Sequence, residues 1–98
     1  MMKVYNVRLL VSGEFDDEYW SELLGTYSNR EAAIAHMIDA ARRNFEDPAT
    51  MWHISPTKKY QLLETTENAR KYGIIPDEIY GGVVVEEYEV LDRYEPAN

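Results

Sequence analysis

Along residues 3–11 every second side chain is apolar and the side chains between them are mixed, which is typical of a β-strand with one buried face. The apolar face of this strand comprises Tyr5, Val7, Leu9 and Val11. Residues 83–91 open with three valines and continue with residues of high strand propensity, so we predict a second strand there. Residues 19–27 are predicted to pair with the first strand as a hairpin. Gly25 within them indicates a bulge or a close backbone approach.

Residues 29–45 carry apolar side chains at helical spacing, which predicts an amphipathic helix. The predicted apolar face comprises Ile34, Met37, Ile38, Ala41 and Phe45. The polar side comprises His36, Asp39, Arg42 and Arg43. Ser28 and Glu31 have the spacing of a capping box, in which each would satisfy a backbone N–H of the other. Pro48 is expected to end the helix region because proline lacks a backbone donor.

Residues 49–65 fit two structures. Pro56 after a serine could open a helix, whereas Tyr60 and the two following leucines fit a short strand equally well. Residues 66–72 are predicted to form a short second helix with Gly73 as its C-terminal cap. Turns are then expected at residues 74–77 and at the glycine pair 81–82.

These elements predict an α+β fold with a mainly antiparallel sheet of three to four strands. The main helix, about 29–45, is expected to pack on one face, with the short helix at about 66–72 beside it. A chain of 98 residues is sized for one domain, so we expect residues 1–98 to form a single unit with a frayed tail at 94–98. The apolar runs are too short for a membrane span, and the first residues lack the apolar core of a signal peptide. A cytoplasmic location is expected.

Charge and cysteine content exclude several functions. The formal net charge is −8, which disfavours direct binding to nucleic acid or anionic lipid, since both attract clustered Lys and Arg. The chain has no cysteine, which excludes disulfides, thiolate catalysis and cysteine-ligated metals. His36 and His53 are the two histidines, and their spacing matches no metal-ligand motif. No metal or cofactor is therefore expected.

Enzymatic chemistry is also disfavoured by the motifs. Paired catalytic carboxylates need to be held apart in a cleft with separated pKa values, whereas the acids of this chain are mostly adjacent in sequence. No nucleophile elbow, phosphate-binding glycine loop or dinucleotide fingerprint is present. We therefore expect a protein that is not an enzyme.

Aromatic residues interspersed with acids favour a protein-binding surface, because Tyr and Trp are common interface anchors. The main candidate surface comprises Glu14, Phe15, Asp16, Asp17, Glu18, Tyr19 and Trp20. A second candidate surface comprises Glu86, Glu87, Glu89 and Asp92. Such surfaces suit a partner protein with a basic groove, including one that normally holds nucleic acid. An inhibitor or adaptor is the expected role. Whether Trp20 and Trp52 belong to the core or to an interface stays open.

Two other roles remain as alternatives. Residues 83–85 are apolar on both faces, so their strand is either central or an edge that seeks a partner. In the second case a homodimer would form through the C-terminal strand, with the following glutamates limiting uncontrolled pairing. The protein would then be a self-associating structural protein. A domain that binds a small molecule, or a carboxylate-based enzyme, is the remaining alternative.

Three short motifs resemble those of small prokaryotic and phage domains of uncharacterised function. These are a V-Y-x-V first strand at residues 4–7, a G-x-[YF]-S-x-x-E-A helix start at residues 25–32, and a closing strand that contains residues 87–90. The resemblance covers about half of the chain, and residues 46–80 depart from it as an apparent insertion. It implies an α+β fold and carries no catalytic residues to this chain.

Overall fold

Over the residues that the structure describes, the fold is a five-stranded antiparallel sheet with one helix. The computed structural model describes residues 2–12, 19–45, 60–77, 81–91, 93–94 and 96. The elements are β1 (Met2–Ser12), β2 (Tyr19–Tyr27), α1 (Arg30–Phe45), β3 (Gln61–Thr65), β4 (Ala69–Asp77) and β5 (Gly81–Val90). The strand order is β2-β1-β5-β4-β3, and every neighbouring pair is antiparallel. The α+β class is confirmed, with five strands where three to four were predicted.

The predicted alternation in β1 is confirmed. Tyr5, Val7 and Leu9 are buried and Val11 is partly buried. Because paired residues of adjacent strands share a face, these side chains meet Val83 and Val85 of β5. Ile74 of β4 completes the sheet's share of the core. Of the two possibilities that Gly25 indicated, a bulge is observed, because the register of β1 with β2 shifts by one residue between Gly25 and Leu23.

α1 packs on the core face of the sheet, but through a different stripe from the predicted one. Its buried residues are Ala33, Met37, Ala40 and Ala41. Of the predicted apolar face, Met37 and Ala41 are buried, whereas Ile34, Ile38 and Phe45 are only partly buried at the border of the core. Three of the four buried side chains are alanines, which let the helix axis approach the sheet closely. The bulkier isoleucines therefore lie beside the contact rather than in it.

The helix is capped one residue later than predicted. The Ala32 N–H donates to the Asn29 side-chain oxygen at 3.1 Å, and the Ala33 N–H donates to the Asn29 carbonyl. Asn29 is therefore the N-cap, and the proposed box between Ser28 and Glu31 is wrong. Asparagine and serine are both favoured as N-caps, because the side-chain oxygen of either accepts from the free N–H groups of the first turn. The sequence therefore does not decide which of these two adjacent residues caps the helix.

The predicted second helix at 66–72 is wrong, because this stretch forms a turn and the first half of β4. The Thr66 N–H and hydroxyl both donate to the Ala69 carbonyl, which closes the turn between β3 and β4. Gly73, predicted to be a helix cap, is buried within β4 and lies opposite Val84. Residues 66–72 have adequate helix propensity, but pairing with strands on both sides outweighs it.

Residues 74–77 belong to β4 and do not form the predicted turn. Pro76 is tolerated there because it lies where the register with β5 shifts, between Ile74 and Asp77, and beyond the residues that pair with β3. Residues 61–65 form β3, which decides part of the open question in favour of a strand. Residues 49–59, including Trp52, lie outside the described residues.

The glycine pair at the start of β5 is required by the neighbouring backbone. Gly81 has φ of 127°, and a Cβ there would lie 1.9 Å from the Leu10 carbonyl oxygen. A Cβ on Gly82 would lie 2.4 Å from the Ile74 carbonyl oxygen. The turn predicted at the glycine pair is instead the start of β5, where neighbouring backbones approach too closely for a side chain on either glycine.

The predicted single domain 1–98 is described only over the ranges given above, and those residues form one sheet with one helix. Of the predicted frayed tail, Tyr94 and Pro96 are described, and both are exposed. In the part of the chain that the structure describes, no helix combines the length and the apolar content that a membrane crossing requires.

Candidate interaction surfaces

The main predicted surface is described only at its end, where β2 begins. Glu14, Phe15, Asp16, Asp17 and Glu18 lie outside the described residues, and Tyr19 is described only through its backbone. Trp20 is 50% exposed on β2, where it pairs with Val11 of β1. Trp20 therefore contributes a large apolar surface to solvent rather than to the core.

β2 lies at one end of the strand order, so its outer side pairs with no other strand among the described residues. Leu23, which was not predicted as a surface residue, is 48% exposed on this strand. Its partner is Arg8, on the sheet face opposite the helix, whereas Trp20 pairs with Val11 on the helix side. Exposed apolar side chains thus flank the free edge of β2 on both faces.

The pair of adjacent leucines in β2 is a sequence signal that one of them is exposed. Two adjacent leucines in a strand cannot both face the same core, because successive side chains point to opposite faces. Leu24 packs against the core beside the bulge, and Leu23 is left exposed. The sequence does not show which of the two leucines is buried. The pairing register of β2 with β1 decides it, and the bulge sets that register.

The second predicted surface is divided between the two faces of the sheet. Glu86 lies on the face opposite the helix, where Arg8 Nε donates to its Oε1 at 2.7 Å and the Tyr88 hydroxyl donates to its Oε2 at 3.1 Å. Glu87 lies on the helix side, is 7% exposed, and has its Oε2 3.7 Å from Lys3 Nζ. Glu89 shares the face of Glu87, and Asp92 lies outside the described residues.

These contacts give the glutamates a structural role. Period-two alternation sends neighbouring residues of a strand to opposite faces, so Glu86 and Glu87 do not form one acidic patch. Each is paired with a cation of β1, which joins the two central strands. Burial, followed by the adjacent Glu86 carboxylate, raises the pKa of the Tyr88 hydroxyl.

β5 is central, which decides between the two predicted placements of residues 83–85. It pairs with β1 on one side and β4 on the other. Both edges of this strand are therefore occupied, and a homodimer cannot form by adding a strand to it. The glutamates that follow do not guard an edge.

His36 was predicted to lie on the polar side of the helix, but it packs against β2. Its Nδ1 lies 2.9 Å from the Tyr27 hydroxyl, and the two rings meet edge to face with centroids 5.7 Å apart. A Cβ on Gly25 would approach the His36 ring to 3.3 Å, so the glycine makes room for it. His36 therefore does not lie on the polar side of the helix with Asp39. Asp39 instead forms an ion pair with Arg43 at 3.0 Å.

A second cluster, which the sequence did not reveal, joins the start of α1 to β4. The Arg30 guanidinium carbon lies 5.5 Å from the Tyr60 ring centroid and 5.1 Å from that of Tyr72, and Arg30 also donates to the Tyr60 hydroxyl. Beside it, a groove of about 520 Å³ runs along α1 past Ile34 and Ile38. Arg30 and these tyrosines are at least 30 residues apart in the sequence, so patterns within a single segment do not predict this stacking.

The described residues contain no group of three or more His, Asp or Glu side chains placed to hold a metal ion. His36 is engaged with Tyr27, and His53 lies outside the described ranges. No protein-family model, curated protein or solved structure matches this chain. The resemblance to small prokaryotic and phage domains stays a prediction.

Proposed function

We propose that this protein is a non-enzymatic interaction module that binds a basic surface of a partner protein. The contact surface comprises the free edge of β2 together with the acidic segment 14–18 that precedes it. Its role is that of an inhibitor or adaptor. A partner whose basic groove normally holds nucleic acid is one case of this function.

The observation that carries the proposal is the exposure of Trp20 and Leu23 on an edge strand. Trp20 is 50% and Leu23 is 48% exposed, so about half of each large apolar side chain lies in solvent. Tryptophan is among the residues that contribute most to binding energy when an interface buries it. An exposed tryptophan on an open edge is thus suited to anchor a partner.

Charge supports a basic partner. Glu22 is the one charged residue within β2, and four acids lie in the six residues before the strand. Unlike Glu86 and Glu87, Glu22 forms no ion pair among those found between described residues. Charges next to an apolar anchor accelerate encounter with an oppositely charged partner and select against acidic ones.

The proposal is tested by affinity capture from the native host, followed by binding kinetics with the captured protein. Asp16→Lys combined with Asp17→Lys should lower the association rate by at least tenfold at low salt. Raising the salt concentration should slow the wild-type protein toward the variant, because the Debye length is about 8 Å at physiological ionic strength. Trp20→Ala should mainly raise the dissociation rate, since it removes an anchor rather than a steering charge.

The matched control is Glu64→Lys combined with Glu67→Lys. This pair changes the net charge equally at the opposite edge of the sheet, where both side chains are exposed. It should leave association within about twofold of the wild type. Equal slowing by both lysine pairs would show that net charge acts without a local surface. If neither the lysine pair at residues 16 and 17, nor Trp20→Ala, nor salt changes the binding kinetics, the β2 surface is not the contact surface.

Competition separates the nucleic-acid-mimic case from other basic partners. Double-stranded DNA should displace the protein if the partner's groove normally binds nucleic acid. A complex that DNA does not affect indicates a basic surface of another kind. Far-ultraviolet circular dichroism of each variant checks that binding changes do not reflect unfolding.

A further inference from the structure

We infer that the partner binds by strand addition: an extended segment rich in lysine or arginine pairs with β2 and becomes the sixth strand of the sheet. This inference rests on the proposed function and specifies its binding mode. It follows from the direction of the β2 backbone groups, from the length of the free edge, and from the side chains that flank it.

The direction of the backbone groups in β5 follows from one hydrogen bond. In an antiparallel sheet, successive residues direct their N–H and C=O groups alternately to the two neighbouring strands. The Glu89 N–H donates to the Asn68 carbonyl, next to β4. Every second residue of β5, counted back from Glu89, therefore faces β4. The residues between them, Gly82 included, face β1.

The same alternation can be followed from β5 across β1 to β2. Gly82 pairs with Leu10, so the Leu10 backbone faces β5. The close approach of the Leu10 carbonyl oxygen to Gly81 agrees with this direction. Leu10 is also the partner of Ser21 in β2. Since Leu10 faces away from β2, Ser21 directs its own N–H and C=O groups outward, to the open edge.

Leu23 has the same orientation as Ser21. The register with β1 is continuous from Tyr19 to Leu23, so residues two apart on β2 face the same side. Ser21 and Leu23 therefore present a repeating pattern of donors and acceptors that a further strand can bind. Peptides are recognised in this way where a sheet edge is open, with the main chain supplying affinity and alternate side chains supplying specificity.

β2 is better suited to strand addition than β3, the other edge. β3 has five residues, and its register with β4 is interrupted between Leu62 and Glu64. β2 has nine residues, and five of them, up to Leu23, lie before its bulge. Natural edge strands are commonly protected by lysine or proline. β2 contains neither of these residues.

The flanking side chains define the chemistry of the added segment. Glu22 lies between Trp20 and Leu23, and the segment before β2 is acidic. Glu22 shares the helix-side face of β2 with Trp20, whereas Leu23 lies on the opposite face. Basic side chains on the helix-side face of the added strand would pair with Glu22 and lie over the Trp20 ring, and apolar side chains on its other face would cover Leu23. An extended segment that alternates basic with apolar residues meets both requirements.

The test uses the full chain and a synthetic peptide, Val-Lys-Val-Lys-Val-Lys-Val. Its control is the same peptide methylated on every backbone nitrogen, which keeps the charges and side chains but removes the donors. The unmodified peptide should bind at least tenfold more tightly by fluorescence anisotropy. It should also slow hydrogen exchange at the Ser21 and Leu23 amides, but not at those of Leu62 and Leu63 in β3. Equal affinity for both peptides, no binding at millimolar concentration, or protection of β3 alone would overturn the inference.

Ser21→Pro supplies an independent test, because it removes an outward N–H that the sheet itself does not use. It should weaken peptide binding at least tenfold while the melting temperature stays close to that of the wild type. If the variant unfolds, the exchange measurement on the wild-type chain decides. A captured partner that needs Trp20 but leaves exchange at Ser21 and Leu23 unchanged would overturn strand addition while leaving the proposed function intact.

Discussion

At the scale of single residues, the structure shows how a small shift moves a role from one side chain to the next. Ser28 and Asn29 are adjacent and both can cap a helix, yet the helix begins at Arg30, so Asn29 acts as the cap. His36 and Asp39 were grouped together by helical spacing, but His36 lies against Tyr27 and Asp39 pairs with Arg43. His36 therefore takes its role from a residue of β2, whereas Asp39 takes its role from a residue one turn further along the same helix.

Asn29→Ala should lower the free energy of unfolding by about 1 kcal/mol, the usual cost of losing an N-cap. Ser28→Ala should cost less than about 0.5 kcal/mol, because its hydroxyl does not cap α1. Urea denaturation of the two variants measures both values. A larger loss for Ser28→Ala would place the cap at Ser28 and contradict the observed helix start.

Tyr88 should make the stability of the protein sensitive to high pH. Burial, followed by Glu86, raises the pKa of its hydroxyl above the ordinary tyrosine value of about 10. The folded state therefore holds the proton more tightly than the unfolded chain does. The resulting stabilisation is fully present below pH 10 and is lost as pH rises through the higher folded pKa.

Tyr88→Phe should reduce the fall in stability above pH 10, because the variant has no proton to lose at this position. Thermal melts at a series of pH values from 8 to 11 measure the effect. Tyr72→Phe is the control, since it removes a tyrosine hydroxyl away from Glu86. An equal change in both variants would show that the alkaline loss is not specific to Tyr88.

At the scale of elements, α1 contacts the sheet through small side chains. The predicted stripe and the observed one share Met37 and Ala41, but the observed stripe is centred on alanines. Helical spacing identifies a face only to within about one position, because large apolar residues next to the contact still bury part of their surface. The isoleucines that dominated the predicted stripe lie along the groove beside Tyr60.

Met37→Ala should lower the free energy of unfolding by about 2–4 kcal/mol, as expected for a fully buried large side chain. Ile38→Ala should cost less, because Ile38 is only partly buried. Equilibrium unfolding in urea compares the two variants. A greater loss for Ile38→Ala would restore the predicted helix orientation in place of the observed one.

At the scale of the whole molecule, the alternation of side chains along β5 places its neighbouring charges on opposite faces of the sheet. The consecutive acids Glu86 and Glu87 are separated onto two faces, and each is paired with a cation of β1. The net charge of −8 remains and acts as self-repulsion in the compact state. The acids that precede β2 in the sequence are those that the proposed function uses.

Raising sodium chloride from about 0.02 M to about 0.5 M should therefore increase the melting temperature by a few degrees, because salt screens the repulsion between acids. Calorimetry in the two buffers measures the shift. A decrease would instead mean that the cross-strand ion pairs Arg8–Glu86 and Lys3–Glu87 outweigh the net repulsion. Glu86→Gln in the same pair of buffers would then show how much of the salt effect comes from Arg8.

Local patterns predicted most of the elements. β1, β2, α1, most of β5 and the α+β class follow from alternation, helical spacing and strand propensity, each of which is a property of a single segment, and Gly25 indicated a bulge or a close backbone approach in β2. Residues 66–77 were misassigned, because β4 is a strand through its pairing with β3 and β5 and not through its own propensity. The central position of β5 follows from the same long-range pairing.

The candidate surface divides in the same way. An acidic and aromatic segment is visible in the sequence, and so is the candidacy of Trp20 as an anchor. Tertiary structure alone decided that Trp20 is exposed, that Leu23 joins it, and that no other described strand pairs with the outer edge of β2, since each depends on which strands lie beside β2. It also separated Glu86 from Glu87, because the side chains of consecutive strand residues point to opposite faces of the sheet.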